Sequence, residues 1–320
     1  MAQFIQRTEQ DTDAIRNELI AGLAAPHASI SPKYLYDALG SKLFEAICEL
    51  PEYYPTRTEA AIFDARASAI AQSVGRGATL IDLGAGNCTK AARLFLVLQP
   101  EQYVPIDISV DFMHEAVARL QQQFPKIEMT AIGMDFSTAL ELPDAVRAEK
   151  RLFFYPGSSI GNFTPREASA FLQRLRNACR INGRADGGIL IGVDLVKTSA
   201  TLDAAYDDAL GVTACFNLNL LNHLNRLLDA DFDVRKWQHR GFFNPEASRV
   251  EMHLEARVNH TVRWQGGQRR FERGESIHTE NSYKYTQKQF VALLQDAGFS
   301  DVQIWTDPQE WFMVCHAQAV

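Results

Sequence analysis

From residue 79 the chain alternates short apolar runs with amphipathic stretches: TLIDLGAG, TKAARLFLVL, QYVPIDIS, DFMHEAVARLQQQF, IEMTAIGMDF, RLFFYPGSSIGN, PREASAFLQRLRNACR and GGILIGVDLV. The apolar runs read as buried strands and the amphipathic ones as helices. Such a sequence satisfies both patterns at once as a parallel sheet wrapped by helices through right-handed crossovers. This predicts an α/β fold. After Lys197 the alternation stops. Residues 212–228 read as a helix, and 249–258, 260–264 and 277–285 alternate like antiparallel strands. QKQFVALLQDAGFSDVQIWTD then reads as a helix, a Gly298 cap and a strand, with a last strand in WFMVCHAQA. Residues 11–25 and 41–50 show helical spacing, interrupted by Pro32, Tyr34 and Tyr36, and LPEYYPTR forms an aromatic loop. The predicted organisation is an N-terminal helical region (1–60), a discontinuous nucleotide-binding-like domain (61–196 and 284–320) and an insertion (197–283).

Composition narrows the function classes. Lys plus Arg is 32 against 39 Asp plus Glu, a formal charge of -7, which gives no support for a nucleic-acid binder. No apolar run reaches the length of a membrane span, and the polar, acidic beginning of the chain does not read as a signal peptide. Cys48, Cys88, Cys179, Cys215 and Cys315 form no CxxC pair and no Cys/His metal spacing. They read as reduced thiols of a cytoplasmic protein, and no metal is expected.

The first strand ends IDLGAGN, where Gly84 and Gly86 allow a tight turn and close approach of backbone to a ligand. Thr89 stands where the third glycine of a dinucleotide fingerprint would fall, which weakens the case for NAD or FAD. Asp107 ends the next strand, 21 residues after Gly86; an acid there accepts hydrogen bonds from ribose hydroxyls. Asp135 and Phe136 end the third strand, where an acid and a ring can hold an adenine. Lys90 is either a partner for a cofactor carboxylate or a solvated surface lysine. Asn162 closes the loop GSSIGN at the carboxyl end of the fourth strand, as a ligand contact or as a turn former. No GxxxxGK[ST], HExxH or GxSxG pattern is present. These loops favour S-adenosyl-L-methionine, an already activated methyl donor that demands alignment more than catalytic side chains. In the insertion, Glu280 and Ser282 lie two apart and share one strand face; a carboxylate beside a hydroxyl can read the two nitrogens of an imidazole. Met252, in an alternating strand, reads by itself as core.

Longer stretches carry a resemblance. KYLYDALGSKLFEAICELPEYYPTRTEA, FFYPGSSIGNFTP, GVDLVKTSATLDAAYDD, GVTACFNLNLLNHLNRLLDADFD, RVEMHLEA and TENSYKY resemble the ergothioneine-pathway L-histidine Nα-methyltransferases, over about Lys33 to Trp311. The resemblance implies a Rossmann-like class I methyltransferase sheet with an N-terminal helical region and an inserted α+β substrate domain. It implies trimethylation of L-histidine to hercynine with S-adenosyl-L-methionine, with histidine lying between sheet and insertion. Gly84, Lys90, Asp107, Asp135 and Phe136 match its cofactor positions. Tyr53, Asn162, Tyr206, Met252, Glu280 and Ser282 match substrate positions. Asn162 would hold the α-amino group, Tyr206 the carboxylate and Glu280 with Ser282 the imidazole. Tyr36 matches an aromatic near the reacting amine, so that Tyr36, Tyr53 and Asn162 are the expected catalytic residues. The alternatives are Nα-methylation of another aromatic amino acid and a non-catalytic S-adenosylmethionine-binding protein. Glu280 argues for imidazole over indole, which offers one N–H and no acceptor.

Overall fold

The structure, a computed structural model, describes residues 2–7, 11–108, 110–181 and 184–320. The chain divides into two compact units, Met1–Glu9 with Arg57–Leu195 and Tyr285–Val320, and Gln10–Thr56 with Val196–Lys284.

The first unit is built on one eight-stranded sheet. Its strands are β1 (Gln3–Gln6), β2 (Thr79–Leu83), β3 (Gln102–Asp107), β4 (Glu128–Gly133), β5 (Arg151–Tyr155), β6 (Gly187–Asp194), β7 (Phe299–Thr306) and β8 (Phe312–Ala319). In space they run β1-β4-β3-β2-β5-β6-β8-β7. All neighbours are parallel up to β6, while β8 is antiparallel to both β6 and β7. The chain steps from β2 outward through β3 to β4, then jumps back across β2 to β5. The order therefore reverses between β2 and β5, and the loops leaving their carboxyl ends open a crevice there.

Every residue of β2 is buried, as the continuous apolar run demands of a strand covered on both faces. On one face Leu80, Tyr103, Met129, Phe154 and Leu190 pack with Ile62, Phe63, Leu94, Phe95, Met113 and Val117 from the flanking helices. The alternate residues Ile81, Val104, Ile132, Phe153 and Ile189 are equally buried. Helix Pro165–Ala178 begins with a capping box, Thr164 and Glu167 each bonding the other's backbone N–H, with Pro165 in its first turn.

In the second unit, helices Thr12–Ala24, Ala38–Cys48, Ser199–Tyr206 and Val212–Leu228 accompany a three-stranded antiparallel sheet with Arg249–Ala256 at its centre, between Trp237–Asn244 and Ser276–Tyr283. The two distant segments are joined by polar clamps. Asp37 caps the helix Ala38–Cys48 by accepting from Gly40 N at 2.7 Å, accepts from Asn219 Nδ2 at 2.7 Å, and pairs with Arg226. The Arg269 guanidinium donates to the carbonyls of Leu23, Ala25 and Pro26 just past the first helix and pairs with Glu275 at 2.6 Å.

Three features differ from the sequence reading. The N-terminal region is not purely helical: Gln3–Gln6 adds a parallel edge strand beside β4, four residues too short to display a period of two. Residues 10–56 and 196–284 form one unit rather than two regions. The single helix expected over TKAARLFLVL is two short ones, Thr89–Ala92 and Phe95–Leu98, because Leu94 N bonds Ala91 O three residues back and tightens the turn between them. Truncating Phe312, fully buried in the strand inserted between β6 and β7, is expected to cost about 3–5 kcal/mol. The check is a lowered urea midpoint for Phe312→Ala.

Candidate active site

The loop after β2 turns through three left-handed residues, Gly84 (φ 71°), Gly86 (φ 51°) and Cys88 (φ 62°). A side chain at Gly86 would meet nothing within 4 Å, and at Gly84 it would meet only the edge of the Phe136 ring at 3.8 Å. The glycines are therefore there for backbone conformation, and they leave an open concavity above the loop. Asp107, at the end of β3, holds that loop: Oδ2 accepts from Gly86 N at 3.0 Å and Oδ1 from Ile108 N at 2.7 Å. Burial raises its pKa, with these two hydrogen bonds acting the other way. A carboxylate has about four acceptor sites, so two remain for outside donors. At the end of β4, Asp135 turns one oxygen onto Ser137 N and Oγ. The adjacent Phe136 ring packs edge-on against Tyr155, 6.0 Å away. The Cys88 thiol is fully buried and pushed up to about 12 by burial, which makes it inert.

Two further acids organise this crevice. Glu59, 1% exposed, accepts from Gly157 N at 2.7 Å and pairs with Lys90 Nζ at 2.7 Å. Lys90 is thus a partly exposed lysine whose ammonium is already paired with a buried carboxylate. Asp82, buried on β2, accepts from the Tyr103 hydroxyl at 2.8 Å, and burial pushes its carboxyl up to about 7. The loop after β5 is pinned by Ser158, left-handed at φ 60°, whose Oγ accepts from Asp194 N at 2.9 Å. That loop ends in a short 3-10 turn, Ser159–Asn162, that carries Asn162 half-exposed. The Asn162 amide makes no hydrogen bond among the described residues, so its donor and acceptor are both available.

In the second unit the chemistry gathers on one face of the three-stranded sheet. Met252 lies opposite Glu280 across the strand pair, and Val250 opposite Ser282. The register shifts by one residue at Met252/His253, so that Thr279 bulges out; its hydroxyl is held by Asn217 Oδ1 at 2.7 Å and by Met252 O at 3.0 Å. Beside Glu280 lies a closed polar triangle. Buried Lys284 donates from Nζ to Ser282 Oγ at 2.8 Å and to the Tyr206 hydroxyl at 3.0 Å, and the Tyr206 hydroxyl donates to Ser282 Oγ at 2.8 Å. Both lone pairs of Ser282 Oγ are then occupied, which leaves its proton to donate. Burial pushes the Glu280 carboxyl up to about 7, against the opposing pull of Lys284. Tyr53 stacks edge-on to Tyr206 at 6.2 Å and to Phe44 at 6.1 Å, and Tyr36 meets Phe44 and Phe216 at 5.4 Å each. Burial, reinforced by Tyr206, holds the Tyr53 hydroxyl well above its ordinary range, so it stays a neutral phenol.

Comparison with known proteins now decides the family. A family model described as "Histidine-specific methyltransferase, SAM-dependent" matches residues 15–319. The chain belongs to this family. It is 39% identical to a histidine N-alpha-methyltransferase of Mycolicibacterium smegmatis over 303 residues, covering 92% of each chain. It is 38% identical to the histidine N-alpha-methyltransferase of Mycobacterium tuberculosis, covering 92% of this chain and 91% of that one. Ergothioneine biosynthesis protein 1 of Neurospora crassa is 28% identical and much longer: the match spans 87% of this chain and 32% of that protein. As a member of a SAM-dependent family this chain is a methyltransferase enzyme, and S-adenosylmethionine is its cofactor.

Within the first unit, Gly84, Gly86, Lys90, Asp107, Asp135 and Phe136 all lie at or just beyond the carboxyl ends of β2, β3 and β4, with Asp107 bonded to Gly86 and the Phe136 ring beside Gly84. Within the second, Tyr53, Tyr206, Met252, Glu280 and Ser282 share one side-chain cluster, and Tyr36 joins it through Phe44. Sequence reasoning missed Glu59, Asp82, Tyr103 and Lys284. For Lys284 a signal was present: it stands two residues beyond Ser282 on the same strand parity. Among the described residues no helix is long and apolar enough to cross a membrane.

Asp82 makes a testable contribution to stability. Its folded pKa lies above the ordinary value of 3.8, at about 7, so folding binds its proton more tightly than unfolding does. The stabilisation is complete below 3.8 and is lost as pH rises through about 7, at up to about 1.4 kcal/mol per pH unit. Asp82→Asn keeps an acceptor for Tyr103 and removes the titration. Unfolding free energies measured between pH 4 and pH 7 should fall less steeply with rising pH in the variant.

Proposed function

We propose that this chain trimethylates the α-amino group of L-histidine to hercynine, with the first unit holding S-adenosylmethionine and the second recognising the imidazole. The observation that carries the substrate is the pair Glu280 and Ser282. Neutral imidazole has one N–H donor and one nitrogen lone pair. Ser282, both lone pairs spent on Lys284 and Tyr206, offers a proton to the lone pair, and Glu280 offers an acceptor to the N–H. Indole would leave the Ser282 proton unmatched. Met252, opposite Glu280, would line the ring's flank.

The first unit's residues fit the cofactor. The open cradle over Gly84 and Gly86 accepts close backbone approach, Asp107 keeps two acceptor sites for the ribose hydroxyls, and Asp135 with Phe136 would hold the adenine. Lys90, already neutralising Glu59, would balance the cofactor carboxylate. When bound, S-adenosylmethionine supplies a methyl carbon activated by the positive sulfur. The protein's own work lies in the amine. An α-amino group titrates at about 7.7–8.0, and desolvation favours its neutral, nucleophilic form. Asn162 would accept from the remaining N–H and orient the lone pair. Tyr53, held as a neutral phenol, would pass a proton on rather than act as a phenolate base, with Tyr36 as a second aromatic near the amine. Tyr206 would help bind the substrate carboxylate. As N–H groups are replaced by methyls, the bonds to Asn162 fall away and the aromatic faces of Tyr36, Phe44 and Tyr53 favour the growing cation, at roughly 0.5–2 kcal/mol per contact.

Incubation with S-adenosylmethionine and each of the twenty amino acids, read by mass spectrometry, should yield three added methyl groups on histidine. The same gain on a different amino acid, or none at all, would refute the assignment. Glu280→Ala is expected to weaken histidine binding by about 1–3 kcal/mol in calorimetry, because a buried ring N–H loses its acceptor. Asp107→Ala should weaken the cofactor instead; unaltered cofactor affinity would exclude the ribose role.

A further inference from the structure

Opposite Glu280 and Ser282, on the other face of the same sheet, three ligand-type side chains converge. One oxygen of Glu251, one ring nitrogen of His253 and one of His278 all lie within 4.8 Å of one another. Glu251 and His253 alternate along the central strand, and the Thr279 bulge brings His278 directly opposite His253, their ring centroids 4.9 Å apart. We propose that Glu251, His253 and His278 form a binding site for one divalent transition metal ion of the zinc type.

Each donor is prepared for that role. His278 Nε2 is buried with no hydrogen-bond partner among the described residues, an expense a protein ordinarily avoids unless something occupies the lone pair. His253 Nε2 lies 2.9 Å from Glu251 Oε2. On metal binding the ion replaces the proton between them, and the ring keeps its other proton on Nδ1, which faces Ser276 Oγ at 3.4 Å. His253 is further fixed by stacking on Phe242, 5.6 Å away at 12°. Glu251 meets His253 through Oε2. Its second oxygen takes Arg249 Nε at 2.8 Å and Asn244 Nδ2 at 3.0 Å. Arg249 therefore opposes a cation but occupies Oε1 and leaves Oε2 to the ion. The Asn281 Oδ1 atom, opposite Glu251 in register, is also buried without a partner and stands on this face. Two imidazoles and one carboxylate select zinc and its transition-metal neighbours over magnesium or calcium. With Glu251 on one side of the bulge and the two histidines on the other, the ion would brace the bulge next to Glu280.

The untagged, chelator-treated chain is dialysed against zinc chloride and its metal content measured by mass spectrometry. One zinc per chain is expected, with a rise in Tm that magnesium chloride does not reproduce, and with cobalt(II) a visible absorption band of nitrogen and oxygen ligation. His278→Ala and His253→Phe should each lose at least about tenfold in zinc affinity. His253→Phe preserves the stack on Phe242 and carries the test should His278→Ala fail to fold. Zinc content no higher than the dialysis blank, or zinc held equally by both variants, would overturn the site.

Discussion

A buried carboxylate ties together the two loops at the point where the sheet order reverses. Glu59 sits on the helix Tyr54–Val74 and is almost wholly withdrawn from water, yet both its oxygens are used, one by the backbone of Gly157 and one by Lys90. Gly157 opens the loop after β5, and Lys90 lies in the short helix after β2. These two loops flank the point where the sheet order reverses. A buried charge left unpaired is costly, by several kcal/mol, so neither loop can drift without stranding Glu59. Both glycines near it reflect the same crowding: a side chain at Gly192 would fall 2.1 Å from Glu59 Oε1, and one at Gly157 would fall 2.9 Å from Lys90 Nζ.

The acceptor side obeys the same logic with different groups. Lys284 is buried at the end of a strand and has two oxygens to bond, Ser282 Oγ and the Tyr206 hydroxyl. One bond from this ammonium and one from the Tyr206 hydroxyl turn a serine that would rotate freely into one with a fixed direction. Glu280 stands on the same strand face, its carboxyl pushed up to about 7 by burial against the pull of Lys284. Buried polar groups held in fixed directions in this way can discriminate between ligands more strongly than apolar pockets do.

Much of this was legible in the residues. The apolar strand runs, the glycine turn and the spacing to Asp107 expose the sheet because periodicity and backbone freedom are local properties. The alternation of Glu280 and Ser282 was equally visible, since a strand face is a parity. What escaped were relations between distant segments. Nothing local marks Glu59 as the partner of Gly157, 98 residues away, or Asp37 as a partner of Asn219 and Arg226. The strand Gln3–Gln6 was too short to declare itself. The Thr279 bulge is invisible in a pattern read strictly by twos, and it is what brings His278 and Glu251 onto one face while Glu280 keeps the other.

The second unit is discontinuous: residues up to Thr56 complete a core whose other half begins at Val196. Some 140 residues separate the halves, so at a synthesis rate of roughly 5–20 residues per second the early helices spend on the order of 10–30 s on the ribosome without their partners. During that interval the apolar faces of Thr12–Ala24 and Ala38–Cys48 stay uncovered, which makes the nascent chain, rather than the finished enzyme, the form most in need of chaperone protection.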